Sequence, residues 1–275
     1  GSQTRRQKEA REVLALCFSG SGCLAAYQLG VARCLRRNGA PMMRRVTHVM
    51  GTSGGALVAT VLARAPDHLD SVIEHSLHCR NMTGVEAALA AAGPDAHRAD
   101  QPELVVVTAS AAAPRRQRRF IEWENNEDLL ACLRASCHIP AEFHPLDLLS
   151  PVASSYAGGL DFRGESLIDG GLACASPTLS RADLPSSASA ASISNVVVSP
   201  FAGPPGLRIA PEGPTSWLRF QGYYASLANV RRGFMAVGGG TPGQMAGLVA
   251  EGEKDCARYL RATGQFEGDQ SKPCQ

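Results

Sequence analysis

Two short stretches carry residues able to do chemistry together. In VMGTSGGAL (49–57), Ser53 stands in the order G-x-S-x-G between two apolar runs, and in SLIDGGLA (166–173), Asp169 ends a short apolar stretch ahead of Gly170 and Gly171. A serine placed where a strand turns sharply into a helix has its hydroxyl exposed, and the residues flanking such a turn must be small. Gly51 and Gly55 meet that demand, and the N–H of Gly54 at the following helix N-terminus is placed to receive negative charge. A serine hydroxyl needs a base. All seven histidines lie between His48 and His144. An acid-then-histidine pair such as Asp67 and His138 is conceivable on paper, but the second half of the chain, where a hydrolase triad would normally have its histidine, has none. Asp169 is the best remaining base. Its neighbours Leu167, Ile168 and Leu172 would raise a carboxyl from its ordinary value of about 3.9 by desolvation.

A third stretch, GSGCLA (20–25), follows another apolar run and matches G-x-G-x-x-A. Taken alone it reads as a dinucleotide-binding turn, which would make the protein an NAD(P)-dependent oxidoreductase. The acidic residue expected about 20 positions later for the ribose is missing, since no Asp or Glu occurs between Val13 and Pro66, although Arg44 and Arg45 would suit a phosphorylated ribose. The same backbone has a second use. A glycine turn opening a helix presents free amides that hold a phosphate or stabilise the oxyanion of an acyl-transfer transition state.

The elements that must position these loops follow from the apolar spacing. EVLALCFSG reads as a strand buried on both faces, and the helical spacing from Leu24 stops at Asn38, Gly39 and Pro41. RVTHVM, GTSGG and ALVATVLARA repeat the strand, glycine turn and helix. Two β-loop-α units in tandem predict an α/β fold whose parallel strands bring the first loop and Ser53 to one sheet edge. Further strands are expected over Glu103–Ser110 and Ser194–Phe201, with a helix over EDLLACLRASCHIP ending before Pro140. LSRADLPSSASAAS (179–192) reads as a surface loop. TSWLRFQGYYASLANVRRGFMAV and TPGQMAGLVAEGEKDCARYLRATG carry helical spacing and predict two helices that pack against the fold to close it.

Composition limits the alternatives. With 275 residues at 44% hydrophobic the default is one domain, and 27 basic against 25 acidic residues, a net charge of +2, argue against nucleic acid. The nine cysteines form no C-x-x-C pair or zinc-like spacing. Cys17, Cys34, Cys132 and Cys256 lie in apolar stretches and read as small hydrophobes, which fits a reducing, intracellular setting. No run of 18 apolar residues occurs, so any membrane contact is expected to be peripheral. No metal and no cofactor are called for, calcium included. The chain opens on Gly1, and TRRQKEAR fits a linker or the remnant of a removed targeting segment.

The loop at 20–25, GTSGG at 51–55 and DGG at 169–171, in this order, resemble the patatin-like phospholipase family. CFSGSGCLAAYQLGVARCL is similar to the opening of its animal-type members, and LRASCHIP and VVVSPFAG look like their later segments. The resemblance implies a three-layer αβα sandwich with a central, mostly parallel sheet, a catalytic domain over 13–210 after a lead-in at 1–12, and C-terminal helices over 211–275 on the same domain. It implies a Ser–Asp dyad of Ser53 and Asp169, an oxyanion hole around Gly20, Ser21, Gly22 and Cys23, and hydrolysis of glycerolipid acyl esters at a membrane or lipid-droplet surface. A catalytically silent lipid-binding member of the fold is the non-enzyme alternative. Two positions depart from the family pattern: Ala25 replaces the last glycine of the first motif, and Ala175 stands where an asparagine is common. PRRQRR (114–119) reads either as a solvated hairpin tip or as a patch in which Arg115, Arg116, Arg118 and Arg119 meet anionic lipid heads.

Overall fold

The computed structural model describes residues 12–98, 102–141, 156–184, 192–204, 206–213, 215, 218–220 and 222–268. Strand β1 (Val13–Phe18) is buried at every position, and α1 (Ala25–Asn38) follows through one 3₁₀ turn. The Gly39–Pro41 stop ends α1 as expected, but Pro41 then starts a single-turn helix, α2 (Ala40–Met43), because proline's fixed φ suits a first helical turn. Strand β2 (Val46–Thr52) and α3 (Gly54–Arg64) form the second unit. Next come α4 (Leu69–Ser76), α5 (Asn81–Ala92), β3 (Glu103–Ser110), β4 (Gln117–Phe120) and α6 (Asn126–Ser136). Two short strands, β5 (Leu160–Phe162) and β6 (Glu165–Asp169), precede β7 (Ile193–Val198) and β8 (Arg208–Ile209). The strand expected over Ser194–Phe201 thus begins one residue earlier and stops before Ser199–Pro200.

The strands make one mostly parallel sheet. β8, β7, β1, β2 and β3 run parallel in that order, while β4 and β6 join β3 antiparallel and β5 pairs with β6. Residues alternate between two faces, as a pleated strand requires. Leu14, Leu16, Phe18, Val49, Leu104 and Val106 point into the main core, which all the long helices except α7 help to form. Val13, Ala15, Cys17, Met50, Val105 and Val107 point the other way, and among the described residues Leu179 and Leu184, on either side of a 3₁₀ turn at Arg181–Asp183, cover them. The fold is α/β, with its described helical mass concentrated on one face. The predicted loop at 179–192 is described only over 179–184 and 192.

The C-terminal region departs from the predicted pair of packing helices. Two short strands, β9 (Arg219–Phe220) and β10 (Tyr223–Tyr224), pair antiparallel, and Gly222 ahead of β10 takes φ +85°. The helix begins only at α7 (Leu227–Gly238), where the Ser226 side chain accepts from the Asn229 N–H as an N-cap. Helix α8 (Pro242–Ala262) behaves as predicted. Met245, Leu248, Val249, Cys256 and Leu260 are buried against α1, Tyr259 is half-buried, and Tyr27 donates to Asp255 at 2.8 Å inside that contact. Helix α7 does not close the core in this way: Met235 and Ala236 pack partly against it, while Leu227, Val230, Phe234 and Val237 face outward.

Candidate active site

Register on β3 explains why residues 116 apart in sequence meet. Val106 and Val107 pair with both β2 and β4, so β2 and β4 lie on opposite edges of β3; Thr108 and Ala109 fall opposite both β4 and β6. β2 and β6 therefore share one edge and approach each other head-on. β2 ends with Thr52 opposite Val107, and β6 ends with Asp169 opposite Thr108, one residue further along. The next residue after β2 is Ser53.

Ser53 takes φ +52°, ψ −135°, an unfavourable conformation for any residue with a Cβ. Its surroundings enforce it. The Ser53 N–H donates to Ser136 Oγ at 2.9 Å, and Ser136 Oγ donates in turn to the Val107 carbonyl at 2.7 Å. The turn is tight enough that a Cβ on Gly51 would lie 2.3 Å from the Gly55 carbonyl oxygen, and one on Gly55 would lie 2.3 Å from that of Ser19. A serine at a helix N-cap normally folds its hydroxyl back onto the helix amides. Here it makes no such bond, and Ser53 Oγ donates to Asp169 Oδ2 at 2.6 Å.

Asp169 is 4% exposed. The Gly171 N–H donates to its Oδ1 at 2.7 Å, and its own N–H donates to the His138 carbonyl at 2.7 Å. Burial raises the carboxyl from 3.8 to about 6, against the opposing pull of the Ser53 and Gly171 hydrogen bonds and of His138. A carboxylate tuned to that range is a far better proton acceptor at neutral pH than an exposed aspartate. Asp67 and His138 do not assemble into an alternative pair. Asp67 is paired with Arg36 at the surface at 2.8 Å, and the His138 imidazole is bonded to the Gly158 carbonyl. His144 lies outside the described residues.

The glycine loop stands beside Ser53, with a Cβ on Gly20 falling 3.8 Å from Ser53 Cβ. Its amides are not equivalent. The Gly20 N–H donates to the Ala175 carbonyl at 2.8 Å, which removes Gly20 from the set of oxyanion donors the sequence suggested. Gly22 and Cys23 open the 3₁₀ turn and Gly54 opens α3, positions whose N–H groups have no intrahelical acceptor. The Ser21 side chain is turned away, its Oγ donating to Gln28 Oε1 at 2.9 Å. The Cys23 thiol is pushed up to about 12 by burial and by Cys79, so only its backbone is suited to anion contact. Both departures from the family pattern are accommodated. Ala25 has φ −52° as the first residue of α1, where no glycine is needed, and Ala175 serves through its backbone carbonyl.

Two positioning residues escaped sequence reasoning. Fully buried Gln28 donates to the carbonyls of Ser19 at 2.9 Å and Val198 at 3.2 Å while accepting from Ser21, which pins the glycine loop to the ends of β1 and β7. Ser136 fixes the backbone at Ser53. The basic stretch reads differently in the fold. Arg115 is buried and donates to the Tyr156 hydroxyl at 3.0 Å, Arg118 pairs with Glu165 at 2.8 Å, and Arg119 pairs with Asp183. Arg116 is exposed. Three of the four arginines thus make contacts within the chain, and Arg116 and Arg118 remain exposed.

A cavity of about 550 Å³ opens over Ser53 and Asp169, within the usual size range for small-molecule sites. Gly20, Ser21 and Gly22 form its polar end, and Ile139, Leu172, Phe201, Val230, Ala236 and Val237 contribute to its apolar walls.

The geometry is that of a hydroxyl on a strained strand-to-helix turn bonded to a buried carboxylate where two strands of a mostly parallel sheet meet. Comparisons with known proteins find the following similarities. The family model described as Patatin-like phospholipase matches residues 16–74. The chain is 26% identical over 279 residues to human patatin-like phospholipase domain-containing protein 4, across 92% of this chain and 98% of that protein. It is 45% identical over 47 residues to patatin-like phospholipase domain-containing protein 2 of Rattus norvegicus, across 17% of this chain and 10% of that one. The solved structure of VipD from Legionella pneumophila aligns with 70% of this chain and 50% of its own, with TM-score 0.35 and 12% identity. The chain resembles the patatin-like phospholipases.

The raised Asp169 carboxyl sets a stability signature. Its folded-state value lies above the ordinary one, so the folded protein holds the proton more tightly between 3.8 and about 6. The resulting cost is absent below that window, grows as pH rises through it, and is full above it, at about 3 kcal/mol. Asp169→Asn should raise unfolding free energy at pH 7.5 by up to about 3 kcal/mol, with the gain shrinking toward zero at pH 4, as measured by denaturant titration at both values. Ser136→Ala removes the acceptor of the Ser53 N–H and leaves the Val107 carbonyl with the Thr52 hydroxyl as its side-chain donor. It should lower stability by about 1–3 kcal/mol and accelerate hydrogen exchange at the Ser53 amide more than elsewhere in β2.

Proposed function

We propose that the protein is a serine-dependent lipid acyl hydrolase that cleaves fatty-acyl esters of glycerolipids at a membrane or lipid-droplet surface. The family resemblance supports lipid-ester hydrolysis in general. The finer reading is carried by one observation, the 2.6 Å bond from Ser53 Oγ to a buried carboxylate held at about 6.

In this mechanism Ser53 Oγ attacks the ester carbonyl carbon as its proton passes to Asp169. The carbonyl oxygen takes up the negative charge against the amides of Gly22, Cys23 and Gly54, which are fixed before the reaction begins and need no reorganisation. The C–O bond to the glycerol breaks, the leaving alkoxide takes the proton from Asp169, and an acyl-serine remains. Water then attacks the acyl carbon, giving its proton to Asp169. Collapse of that second tetrahedral species releases the fatty acid and returns the proton to Ser53. A single carboxylate serves both half-reactions because the 2.6 Å contact leaves no room for an intervening imidazole. The apolar walls suit an acyl chain, with the ester at the polar end of the cavity.

Release of fatty acid from phospholipid vesicles and triacylglycerol emulsions, by wild type, Ser53→Ala and Asp169→Asn side by side, tests the proposal. Each substitution should reduce turnover by at least about a thousandfold, the range in which loss of a nucleophile or its base falls. Equal turnover by all three would overturn it.

A further inference from the structure

Helix α7 divides along its length into an anchored face and an unpartnered one. The anchored face is polar and specific. Asn229 accepts from the Ala202 N–H at 3.0 Å and donates to the carbonyls of Ala202 at 2.8 Å and Tyr224 at 2.7 Å, and Arg232 reaches both carboxylate oxygens of Glu251 at 2.6 and 2.8 Å. Further along the same face, Ala236 rests on the glycine loop. Gly22 has φ +51°, and a Cβ there would fall 2.1 Å from the Ala236 carbonyl oxygen. These contacts fix the helix's rotation, so it cannot roll to bury its other side. That side carries Leu227, Val230, Phe234 and Val237 at 68%, 51%, 75% and 82% exposure. Their spacing of three, four and three residues forms one stripe.

Scattered exposed apolar residues need no explanation, but four large ones aligned on twelve residues do. Two observations identify what covers them. First, the stripe is continuous with the apolar wall above Ser53 and Asp169, because Val230 and Val237 belong to both. Second, the exposed charge beside it is basic. α7 has no acidic residue of its own, and while Arg232 is tied to Glu251 on the anchored face, Arg231 is exposed within one turn of Leu227 and Phe234, and Arg219 is exposed on the preceding hairpin beside Leu218. An apolar face flanked by arginines that can reach headgroup phosphates is the pattern of a helix lying in a membrane interface.

We propose that α7 is a lipid-docking helix, with Leu227, Val230, Phe234 and Val237 seated among acyl chains of an anionic lipid surface so that the cavity mouth opens into the lipid layer. What then enters the cavity rests on the lipid-ester reading above, whereas docking itself is read out separately. Leu227 and Phe234 do not line the cavity, so they can be altered without touching the reacting groups.

The test is co-sedimentation of the full chain, carrying Ser53→Ala to prevent turnover, with phosphatidylcholine vesicles containing phosphatidylserine. Adding Leu227→Glu and Phe234→Glu should reduce the bound fraction at least tenfold. In a separate Phe234→Trp protein, emission should shift to the blue on vesicle addition, relative to its parent, and be quenched by lipids brominated along their chains. With Ser53 intact, Leu227→Glu/Phe234→Glu should lose hydrolysis of vesicular lipid but keep hydrolysis of a dispersed short-chain ester. Unchanged vesicle binding by the double variant, or no response in Phe234→Trp, would overturn the docking role. A dimer that the same variant splits while vesicle binding persists would also overturn it and assign the stripe to a second copy. Stripe-dependent vesicle binding by a wild-type protein that hydrolyses neither substrate would uphold docking and sink the proposed reaction instead.

Discussion

Everything at the site depends on two strands meeting end to end along a single edge of β3. Because β2 is parallel to β3 and β6 is antiparallel, their chain termini converge, and the register that pairs Thr52 with Val107 and Asp169 with Thr108 brings the Asp169 carboxyl against the first residue beyond β2. The Ser53–Asp169 hydrogen bond is thus a product of sheet geometry rather than of loop flexibility. Hydrogen bonds from α6 and the segment after it, accepted by the Ser136 hydroxyl and the His138 carbonyl from the Ser53 and Asp169 amides, hold both partners to that register.

The arrangement has an energetic cost that its chemistry explains. Ser53 sits in a strained backbone conformation, and Asp169 is charged at neutral pH in a place that disfavours charge. Both features run against stability and in favour of proton transfer, the usual exchange at a working site. The surrounding core makes that tolerable. A sheet buried on both faces, together with the α1–α8 contact and its internal Tyr27–Asp255 hydrogen bond, surrounds the loops with rigid structure while leaving their amides free.

Much of this was legible in the sequence, and the reasons are local. The glycine turns at 20–25 and 51–55 announce themselves because close backbone approach admits few other residues, and the buried strands announce themselves as short uninterrupted apolar runs. Asp169 could be singled out by the two glycines that follow it and by the lack of a suitable histidine. What remained hidden depends on partners distant in sequence. Gln28 and Ser136 look like ordinary helical residues until Ser19, Val198 and the Ser53 amide are placed beside them, and the Gly20 amide looks available until the Ala175 carbonyl reaches it. Helical spacing over 215–237 could not separate a hairpin from a helix, nor could it reveal that the apolar stripe of α7 faces outward, because amphipathic periodicity reports a face without saying what meets it. The contacts of the basic stretch were hidden for the same reason: Tyr156, Glu165 and Asp183 all come from elsewhere in the chain.

The central claim is that burial tunes one carboxylate to activate one serine by direct contact. The most direct test is the rate at which a fluorophosphonate probe modifies the protein as a function of pH, with the adduct located by peptide mass spectrometry. The account predicts a single adduct on Ser53 whose rate of formation rises through one ionisation near pH 6 and levels off above it. An adduct at another residue, no adduct at all, or a rate at Ser53 that ignores that ionisation would contradict it.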